Sequence, residues 1–158
     1  MELLVATKTA TRAAAMSTLQ KTLDSGQAAE RFQRMASALG GPHDFVERAA
    51  HNLPRAPIIR PVLAGKAGRV ARIATRELGI AVIELGGGRR VASDRIDHAV
   101  GLTQLAGKGA SLAKGDPLCM IHARDETSWE RAATIIRKAY QFGAAGRRGP
   151  AIIERVAR

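Results

Sequence analysis

The chain has 158 residues, 46% of them hydrophobic and 25% charged, enough apolar material for one packed core or a core with an appended segment. No apolar run approaches the roughly 20 residues that span a bilayer, the opening stretch MELLVATKTA lacks the pattern of a secretory leader, and one cysteine excludes an internal disulfide or a zinc framework, so a cytoplasmic protein without membrane partners is expected. The formal net charge of +11 raises nucleic acid as a partner, but no basic run exceeds a pair and 3% of residues are aromatic, so a solvated basic surface is the stronger reading.

The segment up to about Ala15 starts with Leu3, Leu4 and Val5 and no capping residue ahead of them, and reads as an element cut at its start. From Met16, Leu19 and Leu23 support a short helix ending near Ser25-Gly26. A second stripe follows at Ala28, Ala29, Phe32, Met35 and Ala36 until Gly40-Gly41-Pro42 breaks it. Asp44 is placed to cap a third helix with Phe45, Val46 and Ala49 on its buried side, finished before Pro54. Pro54, Pro57 and Pro61 mark a change to β-branched composition, and a domain boundary is expected near residue 55. The charge is uneven across it. Six Lys/Arg face five Asp/Glu in residues 1–54, a net of +1, while nineteen face nine in 55–158, a net of +10.

Ile58 to Leu63 and Arg69 to Ile73 read as strands joined by the glycine-flanked hairpin turn Gly65-Lys66-Ala67-Gly68. Thr75 can cap the next helix, with Glu77 in its first turn and an apolar stripe of Leu78, Ala81, Val82 and Leu85. Gly86, Gly87 and Gly88 stop it, and Arg89 and Arg90 suit the negative end that follows. Ala99 to Leu105 and Leu118 to His122 read as strands, the second opened by Asp116-Pro117. Asp125 then caps a long helix whose face carries Trp129, Ala132, Ala133, Ile136, Ala139 and Tyr140. Gly143, Gly146, Gly149 and Pro150 form a basic connector before a terminal strand, Ile152 to Val156. The fold class is α+β: a small mixed or antiparallel sheet with covering helices, preceded by a helical segment.

Candidate chemistry is sparse. A phosphate-binding glycine loop leads into a helix N-terminus, whereas GGGRR leaves a helix at its C-terminus, where the dipole repels anions. His43, His51, His98 and His122 lack metal-site spacing. His98 beside Asp94 and Asp97 could form an acid-base dyad, but a hydrogen-bonded structural cluster is the stronger reading. Arg124, Asp125 and Glu126 read as a capped turn, and Cys119, within LCMI, as a buried inert thiol. No catalytic, cofactor-binding or metal-ligating residue is assigned.

The stretch LGIAVIELGGGRR followed by ASDRIDHAVG resembles the C-terminal region of the pyrimidine-nucleoside phosphorylase family, and LQKTLDSGQAAERFQRM, GPHDFVERAAHNLP and GDPLCMIHARDETSWERAA agree with it in order. The resemblance implies that 55–158 is an α/β-hammerhead domain and that 1–54 corresponds to the end of the catalytic domain. It implies a parent enzyme that converts thymidine and phosphate to thymine and 2-deoxyribose 1-phosphate, with phosphate as co-substrate and no organic cofactor. A uridine preference and a homodimer both stay open. Family members carry their phosphate and pyrimidine contacts in N-terminal segments with a TGGTxDxLE-type signature, absent from these residues, so the implied partner is an N-terminal catalytic portion. This chain is then expected to be inactive by itself. Two other classes compete: a free-standing basic binding or scaffold domain, and a carrier module. For the carrier, GKGASLAKGDPLCMIHA resembles the VxKGDxLxxI half of biotinyl and lipoyl domains, with Lys66 in GKAG as the nearest modifiable lysine.

Overall fold

The computed structural model describes residues 1–144, so the connector beyond Gly143 and the strand expected at Ile152 to Val156 lie outside the described residues. The chain divides into two compact units, Met1–Leu53 and the residues from Pro54 onward.

The first unit holds α1 (Glu2–Ala6), α2 (Arg12–Asp24), α3 (Gln27–Ala38) and the single turn α4 (Ala49–Asn52). Helix α2 begins ahead of Met16 because Thr11 Oγ1 accepts the Ala14 N–H at 3.3 Å. Gly26, at φ +79°, turns the chain from α2 into α3. The helix expected after Asp44 is reduced to α4. Gln33 on α3 accepts the Val46 N–H at 2.8 Å and donates to the Pro42 carbonyl at 2.7 Å. That takes the N–H an Asp44 cap would have engaged. The Asp44 carboxylate is held instead by Asn52 at 3.2 Å and Arg48 at 3.3 Å. Apolar side chains of this unit stay in water: Leu3 is 80% exposed, Leu23 64% and Leu39 82%.

The second unit contains β1 (Ile58–Leu63), β2 (Gly68–Ile73), α5 (Thr75–Glu84), β3 (Gly101–Thr103), β4 (Ser111–Leu112), β5 (Pro117–Ala123), α6 (Glu126–Ala139) and β6 (Tyr140–Phe142). One antiparallel sheet has the order β1-β5-β3 and the other β4-β2-β6. The hairpin expected between β1 and β2 therefore does not form. Ala64 donates to the Asp116 carbonyl at 2.8 Å and accepts from Gly115 N–H at 2.9 Å, which binds the turn after β1 to the turn before β5. Strand β1 then pairs with β5, with Val62 opposite Cys119, while β2 takes Leu112 and Tyr140 as neighbours of Gly68 and Ile73.

Val62, Val70, Leu118, Cys119 and Ile121 from the strands pack with Ala81 and Leu85 of α5 and Ala132, Ala133, Ile136 and Ala139 of α6 in one core. Full burial of each larger aliphatic side chain contributes about 1.5–3 kcal/mol, and the alanines let α6 lie close to the strands. At the edge of this core the Arg60 guanidinium sits 4.1 Å over the Trp129 ring and pairs with Glu126, joining β1 to α6.

Three local expectations differ from the structure. Tyr140 is not a helical residue but opens β6, because Ile73 of β2 offers it a pairing partner, and its hydroxyl donates to the Ala106 carbonyl at 3.0 Å. Strand β3 stops at Thr103 because Gln104 turns to a φ of 53°. Thr75 is the first residue of α5 and not its cap, since Ala74 occupies the cap position without a side-chain bond. Among the described residues no helix is long and apolar enough to cross a membrane.

Candidate functional site

Of the polar residues singled out by sequence, Arg90, Asp94, Asp97, Arg124 and Asp125 meet at a concavity of about 520 Å³ formed by the end of α5, the loop 86–97 and the start of α6. Helix α5 ends at Leu85 with Gly86 at φ +92°, a left-handed conformation that favours glycine. Gly86 N–H donates to the Ile83 carbonyl at 2.9 Å and Gly87 N–H to the Val82 carbonyl at 2.9 Å, the paired bonds of a Schellman stop. These two amides are committed to the helix end and are not free to cradle a phosphate. The loop closes back on the stop through Asp97 N–H, which donates to the Gly86 carbonyl at 2.9 Å.

Each acid of the concavity has fixed donors. Asp94 accepts the Arg90 N–H at 2.9 Å and the Val91 N–H at 3.1 Å, and these bonds hold its carboxyl below the usual carboxylate range. Asp97 takes a bidentate bond from Arg124, with Nη2 at 2.9 Å, and a further bond from Ala99 N–H at 2.9 Å. The Arg124 bond, followed by that of Ala99, lowers the Asp97 pKa to about 2. Asp125 accepts the Ser128 N–H at 2.7 Å as the cap of α6, and that bond lowers its pKa too. Glu84 pairs with Arg90. Carboxylates held ionised by hydrogen bonds are poor general acids at neutral pH. Chemically, the arrangement suits a brace between α5, the loop and α6.

The Asp94–Asp97–His98 stretch is thus a hydrogen-bonded cluster whose principal cation is Arg124, with His98 exposed beside it. Sequence reasoning missed both partners, the long-range Arg124 for Asp97 and the nearby Glu84 for Arg90. No local pattern joins residues 27 positions apart, although an acid-rich loop on a strongly basic chain does signal that arginine partners exist. His122 Nε2 lies 2.9 Å from Thr103 Oγ1 across the β3–β5 pair. Among the described residues no three His, Cys, Asp or Glu side chains are grouped to hold a metal ion. Cys119 is fully buried and its thiol is pushed up to about 11 by desolvation, which makes it a poor nucleophile.

Lys66 lies exposed in the turn between β1 and β2. Without the acidic or methionine neighbours of a carrier lysine, it is expected to stay unmodified when the chain is produced with biotin and lipoate supplied. Intact mass and peptide mapping check this, and either adduct on Lys66 would revive the carrier reading.

Comparison with known proteins bears on the whole arrangement. The family description "Pyrimidine nucleoside phosphorylase C-terminal domain" matches residues 69–143, the segment from β2 through β6 that builds the concavity. Proteins named thymidine phosphorylase from Burkholderia cenocepacia and Burkholderia orbicola are each 49% identical to this chain over 138 residues, covering 87% of it. The chain spans 32% of the length of these relatives. With the domain match and the identity running across both compact units, the chain carries the C-terminal domain of pyrimidine nucleoside phosphorylases over residues 69–143.

Proposed function

We propose that this chain is the supporting C-terminal portion of an enzyme that cleaves thymidine with phosphate and that it supplies no catalytic, cofactor-binding or metal-ligating residue of its own. In that reaction a phosphate oxygen forms a bond to C1′ of the deoxyribose as the bond from C1′ to the base nitrogen breaks. The base leaves with the electron pair and takes up a proton, giving thymine and 2-deoxyribose 1-phosphate. The observation that carries the proposal is the 49% identity over 138 residues to relatives bearing the name thymidine phosphorylase. The chemistry needs oriented donors for phosphate and for the departing base, each worth several kcal/mol in the transition state. At the concavity the corresponding groups are otherwise engaged: the Gly86 and Gly87 amides close a helix and the acids are held by arginines or amides.

The role left to this chain is mechanical. The concavity's ion pairs fix the angle between α5 and α6, and the exposed apolar side chains of the first unit, Leu3, Leu23, Met35 and Leu39 among them, suit burial against the longer N-terminal portion. Phosphate is the co-substrate and no organic cofactor enters. Cytoplasmic residence belongs to the same proposal.

The purified chain, given thymidine and phosphate, is expected to release no thymine by chromatography. A chimera in which the aligned third of the Burkholderia cenocepacia relative is replaced by this chain is expected to recover phosphate-dependent thymine release. Turnover by the chain alone, or a folded chimera without turnover, would overturn the proposal.

A further inference from the structure

Helix α5 carries the only glycine that lies inside a helix among the described residues, Gly79. Glycine in a helix interior is destabilising relative to alanine, because it loses the most conformational freedom on folding. Neither reason that usually retains such a residue is present within this chain. Gly79 is not among the glycines with positive φ. A Cβ built on it meets no atom within 4 Å. Gly86 and Gly87 differ from it in being required, one by a left-handed φ and the other by Val82 and Val100.

The surface around Gly79 is also unlike one made for water. Leu78, Ala81 and Leu85 of α5 face the core. Arg76, Gly79, Ile80 and Ile83 fall at spacings of three and four residues and share one strip on the other side of the helix. Gly79 is exposed, and Ile80 and Ile83 are half-buried and outside that core. From Leu78 to Ile83 no residue has a polar side chain, so the middle of α5 is apolar on every side. A helix of that kind is suited to being covered all round. Here only one side is covered.

We infer that the strip of Arg76, Gly79, Ile80 and Ile83 is a contact surface for the longer N-terminal portion of the enzyme, whose backbone approaches α5 at Gly79. The inference rests on the reading above that this chain is the C-terminal portion of such an enzyme. The chain spans 32% of the length of its relatives and the matched domain is named C-terminal, so in those relatives the greater part of the protein is available to pack on it. A missing Cβ lets another backbone come closer by the width of a methyl group. Ile80 and Ile83 supply apolar area beside that approach, and Arg76, exposed and without an ion-pair partner among the described residues, gives the strip a polar rim.

The test compares the isolated chain with the chimera in which this chain replaces the aligned third of the Burkholderia cenocepacia relative. In the isolated chain Gly79→Ala and Gly79→Leu are expected to raise the melting temperature, the alanine by about 3–6 °C, because they restore helix propensity and meet only water. In the chimera both are expected to lower it, leucine more than alanine, because the added side chain intrudes where the partner's backbone lies. Thymine release by the chimera is expected to fall at least about tenfold for Gly79→Leu. Thr134→Ala, at an exposed position of α6, also raises helix propensity and is expected to stabilise both proteins and leave turnover unchanged. The reversal of sign is read without turnover: a folded chimera that releases no thymine removes the proposed reaction, and the melting temperatures still decide the contact. A Gly79→Ala chimera more stable than the unaltered chimera would overturn the inference. A dimer of the isolated chain that Gly79→Leu converts to monomer would assign the strip to a second copy and overturn it equally.

Discussion

Ile121→Ala is expected to destabilise the second unit by about 2–5 kcal/mol, the range for removing a buried aliphatic side chain that leaves a cavity. Ile121 has no exposed surface. It stands in β5, the central strand of its sheet, opposite Arg60 of β1 and Leu102 of β3. Strand pairing on both sides limits how far the backbone can collapse into the space vacated. Ile121→Val, which removes one methyl group, is expected to cost only about 0.5–1.5 kcal/mol. The consequence reaches the concavity, because β5 runs through Ala123 directly into Arg124, whose guanidinium holds Asp97. Urea unfolding of the three proteins, followed by circular dichroism, measures the series. A loss below about 1 kcal/mol for the alanine variant would show that β5 is not the centre of the core.

The triple glycine is expected to be intolerant at each position for a different reason. Gly86 alone carries the positive φ, and a Cβ there would meet nothing within 4 Å. Gly86→Ala therefore loses only the backbone term, about 1–2 kcal/mol for an L-residue in the left-handed region. Gly86→Asn should recover part of it, since asparagine tolerates that conformation. Gly87 is limited by space: its Cβ would lie 2.9 Å from Val82 Cγ1, 3.3 Å from Val100 Cγ2 and 3.3 Å from the Val82 carbonyl oxygen. One of those contacts is backbone and cannot rotate away, so Gly87→Ala has no conservative rescue and should cost about 1–3 kcal/mol as overpacking. At Gly88 the clash is 2.7 Å, to Ile83 Cγ1, which is bonded to Cβ and can move only if this β-branched helical residue leaves its preferred χ1 rotamer. Thermal melts are expected to place all three alanine variants below the unaltered chain. A Gly86→Asn variant no more stable than Gly86→Ala would remove the left-handed stop from the account.

The helix stop shows how far local pattern reaches. Three glycines after Leu78, Ala81, Val82 and Leu85 announce the end of α5, yet which glycine turns left-handed depends on where the Ile83 and Val82 carbonyls find their donors. The cap of α6 was legible for a related reason: Asp125 and Ser128 are three residues apart, within reach of one side chain. Asp44 carries a similar signal and does not cap a helix, because Gln33, eleven residues earlier, takes the Val46 N–H. Capping is a competition, and a distant side chain can win it.

The sequence by itself determined the composition of the core and the α+β class, because burial selects apolar side chains at helical and strand periods whatever their final neighbours. Cys119, Ile121 and Ala123 of one strand and Ala132, Ala133 and Ile136 of one helix are buried as those periods require. The resemblance carried by LGIAVIELGGGRR and its companion runs was legible too, since it is a property of residue order alone. Only the tertiary structure decided which strands pair. Strand β1 leaves its neighbour in sequence for β5 because hydrogen bonds between the turns at Ala64 and Gly115 outrank the short connection. It likewise decided the pairing of Asp97 with Arg124 and of Arg90 with Glu84. Charge interactions act through space and leave no period along the chain, so these clusters become visible only once the backbone has brought their members together.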